Sequence, residues 1–301
     1  MENTRTKTTR NSLILLLTAA IWGMAFVSQS KGMDYMHPFT FNGVRSLIGA
    51  ASILVYILIS RKIAGDKAAP LDWKLNVKAG LLCGIFLTIA STLQQFGIKY
   101  TSVGKAGFIT TLYIIFVPMF GIFLKKKVAP VVWAAAVMAA VGMYLLCMTE
   151  SLRLGAGDIM VFLCAIAFAI QIMTVDHYAA RIDGAVVSCI QFTVCGVVCC
   201  IGALIWGQPT FGQLQEGLGA LLYAGVLSCG VGYTLQIVGQ KGLNPTVAAL
   251  IMSLESVIAT ISGWIAYKIG FLTTDQTLTA RQIAGRSEER RVGKECRSRW
   301  S

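Results

Sequence analysis

The chain has 301 residues, of which 55% are hydrophobic and 13% are charged, and its formal net charge is +12. A water-soluble globule carries about a quarter charged residues, so this composition argues against one. The basic residues lie mostly in short stretches between apolar blocks, as membrane topology requires, and no nucleic-acid partner is predicted. The apolar blocks are about 20 residues long, the length of a helix that crosses a bilayer. The predicted fold class is therefore all-α, a polytopic transmembrane helix bundle whose main partner is the lipid bilayer.

Nine membrane spans are predicted in chain order, joined by short connections marked by Gly, Pro or Asp. Basic residues precede the first span, which resembles a signal peptide in this respect. Its apolar stretch continues and further spans follow, so it is interpreted as a retained helix. The spans are Leu13–Lys31, Thr40–Ser60, Lys78–Ile98, Val103–Leu124, Pro130–Cys147, Gly157–Val175, Gly184–Trp206, Leu218–Val238 and Thr246–Tyr267.

The distribution of Lys and Arg predicts the orientation of the bundle. With a cytoplasmic N-terminus, thirteen basic residues before position 286 fall on the cytoplasmic side and six on the far side. Cytoplasmic loops carry the excess of Lys and Arg, so a multi-pass protein with its N-terminus in the cytoplasm is predicted.

Residues of the first part of the chain recur in the second part at one fixed spacing, the separation between positions 92 and 234. This spacing is called the repeat offset. The segment Thr92–Gln94 recurs as Thr234–Gln236, and Gln29 recurs at the same offset as Gln171. Five spans per copy is an odd number, so the second copy enters the membrane from the opposite side and the repeat is inverted. The predicted organisation is a first repeat over 1–148 and a second over 149–285, with the approach to a tenth span at Leu278–Gly285.

The segment 286–301 departs from this pattern. It reads RSEERRVGKECRSRWS, with six basic and three acidic residues and no apolar periodicity, where the repeat predicts a tenth span. It is also similar to the translated read-through of a common sequencing adapter. We expect a non-native tail, with the tenth helix missing or replaced; the alternative is a solvated basic C-terminus.

Polar side chains inside the spans are the candidate site residues, because they are costly in lipid and usually face a cavity or another helix. Glu255, near the middle of the ninth span, is predicted to bind a substrate amine or a coupling proton. The alternative is a structural carboxyl group. Trp22 and Tyr113 also lie mid-span. Three roles are possible for them at this stage: stacking on a substrate, closing a gate, or packing between helices. Arg45 is expected to pair with a carboxylate or to extend to the interface.

Neutral amides form a second group of candidates, because each donates and accepts hydrogen bonds and suits a polar or zwitterionic solute. Gln94 and Gln236, which are symmetry mates, are predicted to line the pathway, with Gln29 and Gln171 as secondary candidates. For Gln95 an interhelical hydrogen bond is preferred. The spaced glycines, such as Gly80 and Gly84, are expected to let helices approach closely.

No enzyme signature is present: the sequence has no phosphate-binding loop, no GxSxG and no HExxH. There are two histidines and no paired CxxC among nine cysteines, so neither a metal site nor a cofactor is predicted. The chain is therefore not predicted to be an enzyme.

Several segments resemble a known family. They are Ala20–Gly23, Phe41–Arg45, Leu112–Pro118 and Ala248–Val257. Together with the repeat, they resemble the drug/metabolite transporter superfamily, specifically its ten-span EamA-like branch, over Leu13 to about Gly285. Ser256 stands where the family often has Pro after Leu-Glu, and Lys125–Lys127 replaces an acidic-ending pattern.

The resemblance implies an exporter or exchanger of small metabolites, such as amino acids, in a bacterial cytoplasmic membrane, driven by an ion or solute gradient. It also implies a central cavity lined by both halves. The alternative that remains is a structural or assembly membrane protein without transport activity. The substrate, the coupling ion, the direction of transport and the oligomeric state stay open.

Overall fold

The structure is a computed structural model that describes residues 2–65, 70–124 and 155–273, with positions 133, 134, 137 and 141. Regular secondary structure within these ranges is helical throughout. Eight helical segments in the described chain are long and apolar enough to cross a membrane. They are α1 (Lys7–Gly32, within a helix that begins at Glu2), α2 (Pro38–Ala64), α3 (Trp73–Ile98), α4 (Val103–Phe123), α5 (Ala156–Tyr178), α6 (Gly184–Gly207), α7 (Leu218–Gln240) and α8 (Pro245–Lys268).

Eight of the nine predicted spans are thus confirmed, and α5 to α8 correspond to the sixth to ninth. The predicted fifth span, the approach to a tenth and the segment 286–301 lie outside the described residues, so these remain predictions. A short helix, Phe211–Glu216, connects α6 to α7. The last turn of α6, Ala203–Gly207, and the middle of α7, Tyr223–Gly232, have π-helical hydrogen bonding.

Side-chain caps fix where several helices begin. Ser102 accepts a hydrogen bond from the backbone N–H of Lys105 at the start of α4. Asn244 does the same for Thr246 at the start of α8, where Pro245 occupies the first turn. These caps satisfy backbone N–H groups that have no partner within the helix. The connections before α4 and α8 are short as a result.

Contacts at one end of the bundle join the start of α1 to the loop before α8, and the start of α3 to the loop before α6. Asn11 donates to the backbone oxygen of Lys241 over 2.8 Å. The backbone N–H of Asp183 donates to Oδ1 of Asn76, near the start of α3, over 2.9 Å. The start of α1 therefore lies at the same end as the loops α2–α3, α5–α6 and α7–α8.

Contacts at the opposite end show that the second half is inverted. Asp158, in the first turn of α5, accepts hydrogen bonds from Thr101 over 2.8 Å and from Nζ of Lys105 over 2.6 Å. Those two residues lie where α3 ends and α4 begins, so α5 enters the membrane at the end where α1 leaves it. The inversion predicted from the odd number of spans is confirmed.

The two halves are interleaved rather than side by side. The principal partners are α2 with α6, α3 with α5 and α6, α1 with α7 and α8, α2 with α7, and α4 with α5 and α8. Exchanging α1–α4 for α5–α8 leaves this set of partners unchanged, as a two-fold relation requires. Most packing therefore crosses between the halves.

Glycines allow the close approaches between halves. A Cβ added to Gly80 would lie 2.6 Å from Cγ2 of Ile190 on α6, and one added to Gly97 would lie 2.8 Å from the backbone oxygen of Gly157 on α5. Small residues let helix backbones approach closely in membranes, as the sequence predicted for Gly80. Apolar side chains elsewhere point outward, as Leu54 and Leu58 do on α2, where lipid would solvate them.

Two helices are broken at equivalent positions. In α4, the segments Val103–Thr111 and Tyr113–Phe123 are separated at Leu112. In α8, the segments Pro245–Met252 and Glu255–Lys268 are separated at Ser253 and Leu254. Leu112 and Leu254 are separated by the repeat offset, so the break belongs to the repeat. At both breaks the backbone keeps helical dihedral angles and some hydrogen bonds tighten to the i, i+3 pattern, so each break is a local irregularity within one membrane-length helix.

Candidate substrate cavity

A small cavity lies between the two halves, and its volume is about 30 Å³. The five leading candidates from the sequence, Trp22, Gln94, Tyr113, Gln236 and Glu255, all contribute to its lining. The three secondary candidates, Gln29, Arg45 and Gln171, line it as well. The structure thus brings all eight together, while their part in transport stays a prediction.

The breaks in α4 and α8 bring two symmetry mates into contact. Tyr113 begins the second segment of α4, and Glu255 begins the second segment of α8. The phenol O–H of Tyr113 donates to Oε1 of Glu255 over 3.0 Å. Both side chains are at most 3% exposed. The contact therefore lies on the axis that relates the halves.

Arg45 is buried in the wall of the cavity. Its side chain is 5% exposed, Nε donates to Oδ1 of Asn42 over 3.0 Å, and the guanidinium lies 5.5 Å from the ring centre of Phe41. No acidic side chain in the described part lies within ion-pair distance. The structure therefore shows neither of the predicted arrangements, pairing with a carboxylate or extension to the interface.

The glutamines form two equivalent groups toward opposite ends of the cavity. Gln94 lies one turn before the end of α3, and its Nε2 donates to Oγ1 of Thr110 over 3.2 Å. Gln236 lies one turn before the end of α7, and its Nε2 donates to Oε1 of Gln171 over 3.2 Å. Because α3 and α7 end at opposite ends of the bundle, the two groups face opposite membrane surfaces.

Some amide atoms in these groups are buried without a partner among the described residues. They are Oε1 of Gln29, Nε2 of Gln171 and Oε1 of Gln236. Buried polar atoms are nearly always hydrogen-bonded, so unpaired ones beside a cavity indicate sites for water or a polar solute. Gln95 also has a buried Oε1 without a partner among the described residues, but it does not line the cavity, and its Nε2 donates to the backbone oxygen of Gln29 over 3.2 Å. It makes the interhelical hydrogen bond that the sequence favoured.

An aromatic wall completes the cavity. The rings of Trp22 and Tyr233 are 4.5 Å apart, and those of Tyr233 and Phe192 are 4.9 Å apart. Nε1 of Trp22 donates to the backbone oxygen of Ser228 over 3.4 Å. Tyr233 and Phe192 were not predicted from the sequence. Tyr233 lies three residues before Gln236, and this helical spacing is a signal that would have found it.

Asn42 is a further lining residue that the sequence analysis did not single out. It lies three residues before Arg45 on α2, within the segment that carries the family resemblance, and an i, i+3 pair shares one helix face. Within the described ranges, no group of three or more His, Cys, Asp or Glu side chains is suited to holding a metal ion.

Membrane-length helices in two inverted halves around a buried polar cavity form an architecture that many membrane transporters share. Comparison with known proteins identifies the family. The model of the EamA-like transporter family matches residues 10–148 and 155–278. The chain belongs to this family, within the drug/metabolite transporter superfamily, and is a transporter of that family.

Similar proteins carry matching descriptions. An uncharacterized transporter of Archaeoglobus fulgidus is 30% identical over 171 residues, which cover 55% of this chain and 48% of that protein. The uncharacterized transporter YwfM of Bacillus subtilis is 27% identical over 256 residues, covering 84% of each chain. A crystal structure of a further protein superimposes with a TM-score of 0.69 at 17% identity, covering 92% of this chain and 93% of that one. This last likeness concerns the fold alone.

Proposed function

We propose that this protein is a secondary transporter that exports or exchanges small polar or zwitterionic metabolites, such as amino acids, by alternating access between its two inverted halves. One observation carries the proposal. Two symmetry mates, Tyr113 and Glu255, meet inside a polar cavity at the point where both halves break a helix. A tightening of the hydrogen-bond pattern within a helix often marks a functional hinge.

Alternating access follows from the inverted geometry. Because a two-fold axis relates the halves, an exchange of their conformations converts one state into a second state that opens to the opposite side, so the two states have similar energies. The groups around Gln94 and Gln236 lie toward opposite membrane surfaces and are related by the same symmetry. In this proposal each group admits polar solute when its own side opens, and its unpaired amide atoms bind water or substrate at that stage.

Glu255 is the proposed ligand for the ammonium group of the substrate and for a coupling proton. Only Tyr113 donates a hydrogen bond to it among the described residues, through Oε1. Oε2 is not among the buried atoms that lack a partner, so it borders open space. A carboxyl group that holds either a proton or an ammonium group couples the movement of one to the other.

The proposed location is the inner membrane of a bacterium, with the N-terminus in the cytoplasm. The excess of Lys and Arg supports this orientation, because it places the loops α2–α3, α5–α6 and α7–α8 inside. The repeats are proposed to divide the chain into 1–148 and 149–285. Neither a cofactor nor a nucleic acid has a part in this proposal.

The test is counterflow in proteoliposomes loaded with each of the twenty proteinogenic L-amino acids. The wild-type protein is expected to give saturable exchange of at least one, and Glu255→Gln is expected to slow that exchange at least about tenfold, the loss of one charge-assisted contact. Glu216→Gln is the matched control, because Glu216 is exposed at the end of a short connecting helix. Folded wild-type protein that exchanges none of the twenty would favour a structural or assembly role instead.

A further inference from the structure

The terminal nitrogens of Arg45 are open to the cavity. Nε is engaged by Asn42, and the structure provides no hydrogen bond to Nη1 or Nη2 from any described residue. Neither nitrogen is among the buried atoms that lack a partner, so both border open space. Because Arg45 lines the cavity and is 5% exposed, that space is the cavity itself. A permanent positive charge therefore faces the place where a substrate would lie.

We infer that Arg45 binds the carboxylate group of the transported substrate, so the substrate class is small amino acids rather than simple amines or neutral polar solutes. This inference deepens the proposed function and rests on it. With Nε occupied, the guanidinium presents its Nη1–Nη2 edge, which offers two parallel N–H groups. That geometry matches the two oxygens of a carboxylate.

Asn42 is the residue that positions this edge. Arginine has only donors, so the amide oxygen of Asn42 must face Nε. The amide nitrogen of Asn42 donates in turn to Oγ of Ser91 over 3.1 Å and contacts Sγ of Cys199 at 3.2 Å. These partners lie on α3 and α6, so three helices hold the amide in one orientation. The guanidinium is thereby fixed before the substrate arrives.

The cavity is polarised although its backbone is symmetric. The residue one repeat offset after Arg45 is Val187, and the symmetry mate of Glu255 is Tyr113. Among the described lining residues, the first half therefore supplies the only guanidinium and the second half the only carboxylate. A zwitterion carries the two charges that would pair with these groups, its carboxylate with Arg45 on α2 and its ammonium group with Glu255 on α8. An amine or a neutral solute leaves the arginine charge unpaired in a buried site.

The experiment compares each of the twenty L-amino acids with its C-terminal amide, which retains the ammonium group and loses the negative charge. Thermal stabilisation of the purified protein and inhibition of counterflow are measured for every pair. The amide of any bound amino acid is expected to bind about 10- to 100-fold more weakly, the loss expected when an interaction with a charged group is removed. This comparison uses wild-type protein alone, so it does not depend on a variant folding.

Variants then assign the discrimination to a residue. Arg45→Gln is expected to make acid and amide bind equally, and Arg45→Lys to retain part of the preference. Arg61→Gln is the matched control, because Arg61 is a partly exposed residue near Asp183 outside the cavity. Equal binding of acid and amide by the wild type, or an unchanged preference in Arg45→Gln, would overturn the inference while transport stands. If none of the compounds binds or exchanges, the proposed function itself fails and the inference falls with it.

Discussion

Replacing Tyr113 with Phe removes one hydrogen bond from the buried carboxyl group of Glu255 and leaves the ring in place. The resulting reduction in the free energy of unfolding should depend on whether that carboxyl group is protonated or ionised. A hydrogen bond to a neutral acceptor contributes about 0.5–1.5 kcal/mol, and one to a charged group about 1.5–3 kcal/mol. The oxygens are 3.0 Å apart, at the long end of the range for O–H···O bonds, which favours the lower part of either interval.

A double-mutant cycle isolates this contact. The variants are Tyr113→Phe, Glu255→Met and both together, with unfolding free energies measured in one detergent and lipid mixture. A coupling energy of at least about 0.5 kcal/mol is expected, because both side chains are buried and in contact. A second cycle with Glu255→Gln keeps a neutral acceptor for the phenol, so its coupling energy gives the contribution of the charge, and the difference between the two cycles gives that of the neutral hydrogen bond.

Additive effects would refute this reasoning. Independent sites add within about 0.3–0.5 kcal/mol, so a coupling energy below that range means that the two side chains do not interact in the folded protein. The mid-membrane contact between the halves would then be absent, and the observation that carries the proposed function would be lost.

Two further predictions concern packing and pH. Gly97→Ala should lower the unfolding free energy by about 1–3 kcal/mol, because its Cβ would meet the backbone of α5. Gly212→Ala is the control and should change the unfolding free energy little, because nothing lies within 4 Å of its Cβ position. Equal effects of the two substitutions would contradict the close approach of α3 and α5. His37 caps α2 through Nδ1. Burial, with Lys99 nearby, lowers the pKa of His37 below the ordinary 6.5, so the unfolded chain binds the proton more readily than the folded protein. The free energy of unfolding should therefore fall as the pH drops below about 6.5. Thermal melts should show a smaller fall in His37→Asn, whose side chain caps without titrating; the same fall in both would exclude His37 as the cause.

The inverted arrangement was predictable because hydrophobicity and charge report topology directly. The repeat offset fixed which positions are equivalent, and the odd number of spans fixed their relative direction. The same offset identifies Tyr113 and Glu255 as symmetry mates. The repeat offset does not reveal that these two side chains are in contact. Contact depends on how far each residue lies from the symmetry axis, and that distance is set by the way α4 and α8 cross.

The surroundings of Arg45 could not be predicted for a related reason. A charged side chain within a span is rarely unpaired on general grounds, so pairing with a carboxylate or extension to the interface was expected. Its actual partner, Asn42, lies on the same helix. The aromatic residues Phe192 and Tyr233 come together only because α6 and α7 pack around the cavity. The π-helical segment Tyr223–Gly232 could not be predicted either, because an apolar sequence does not distinguish π-helical from α-helical hydrogen bonding.

The interleaving of the halves has a consequence for biosynthesis. The chief partners of α2 and α3 include α6, whose last residue is about 110 positions beyond the end of α3. At a synthesis rate of about 5–20 residues per second, the nascent first half waits roughly 5–20 s for these partners. During that interval Arg45, on α2, lies in a half-built bundle whose chief packing partners have not yet been made. Insertion of the first four helices therefore depends on the translocation machinery and lipids for a period that a bundle of sequential hairpins would not require.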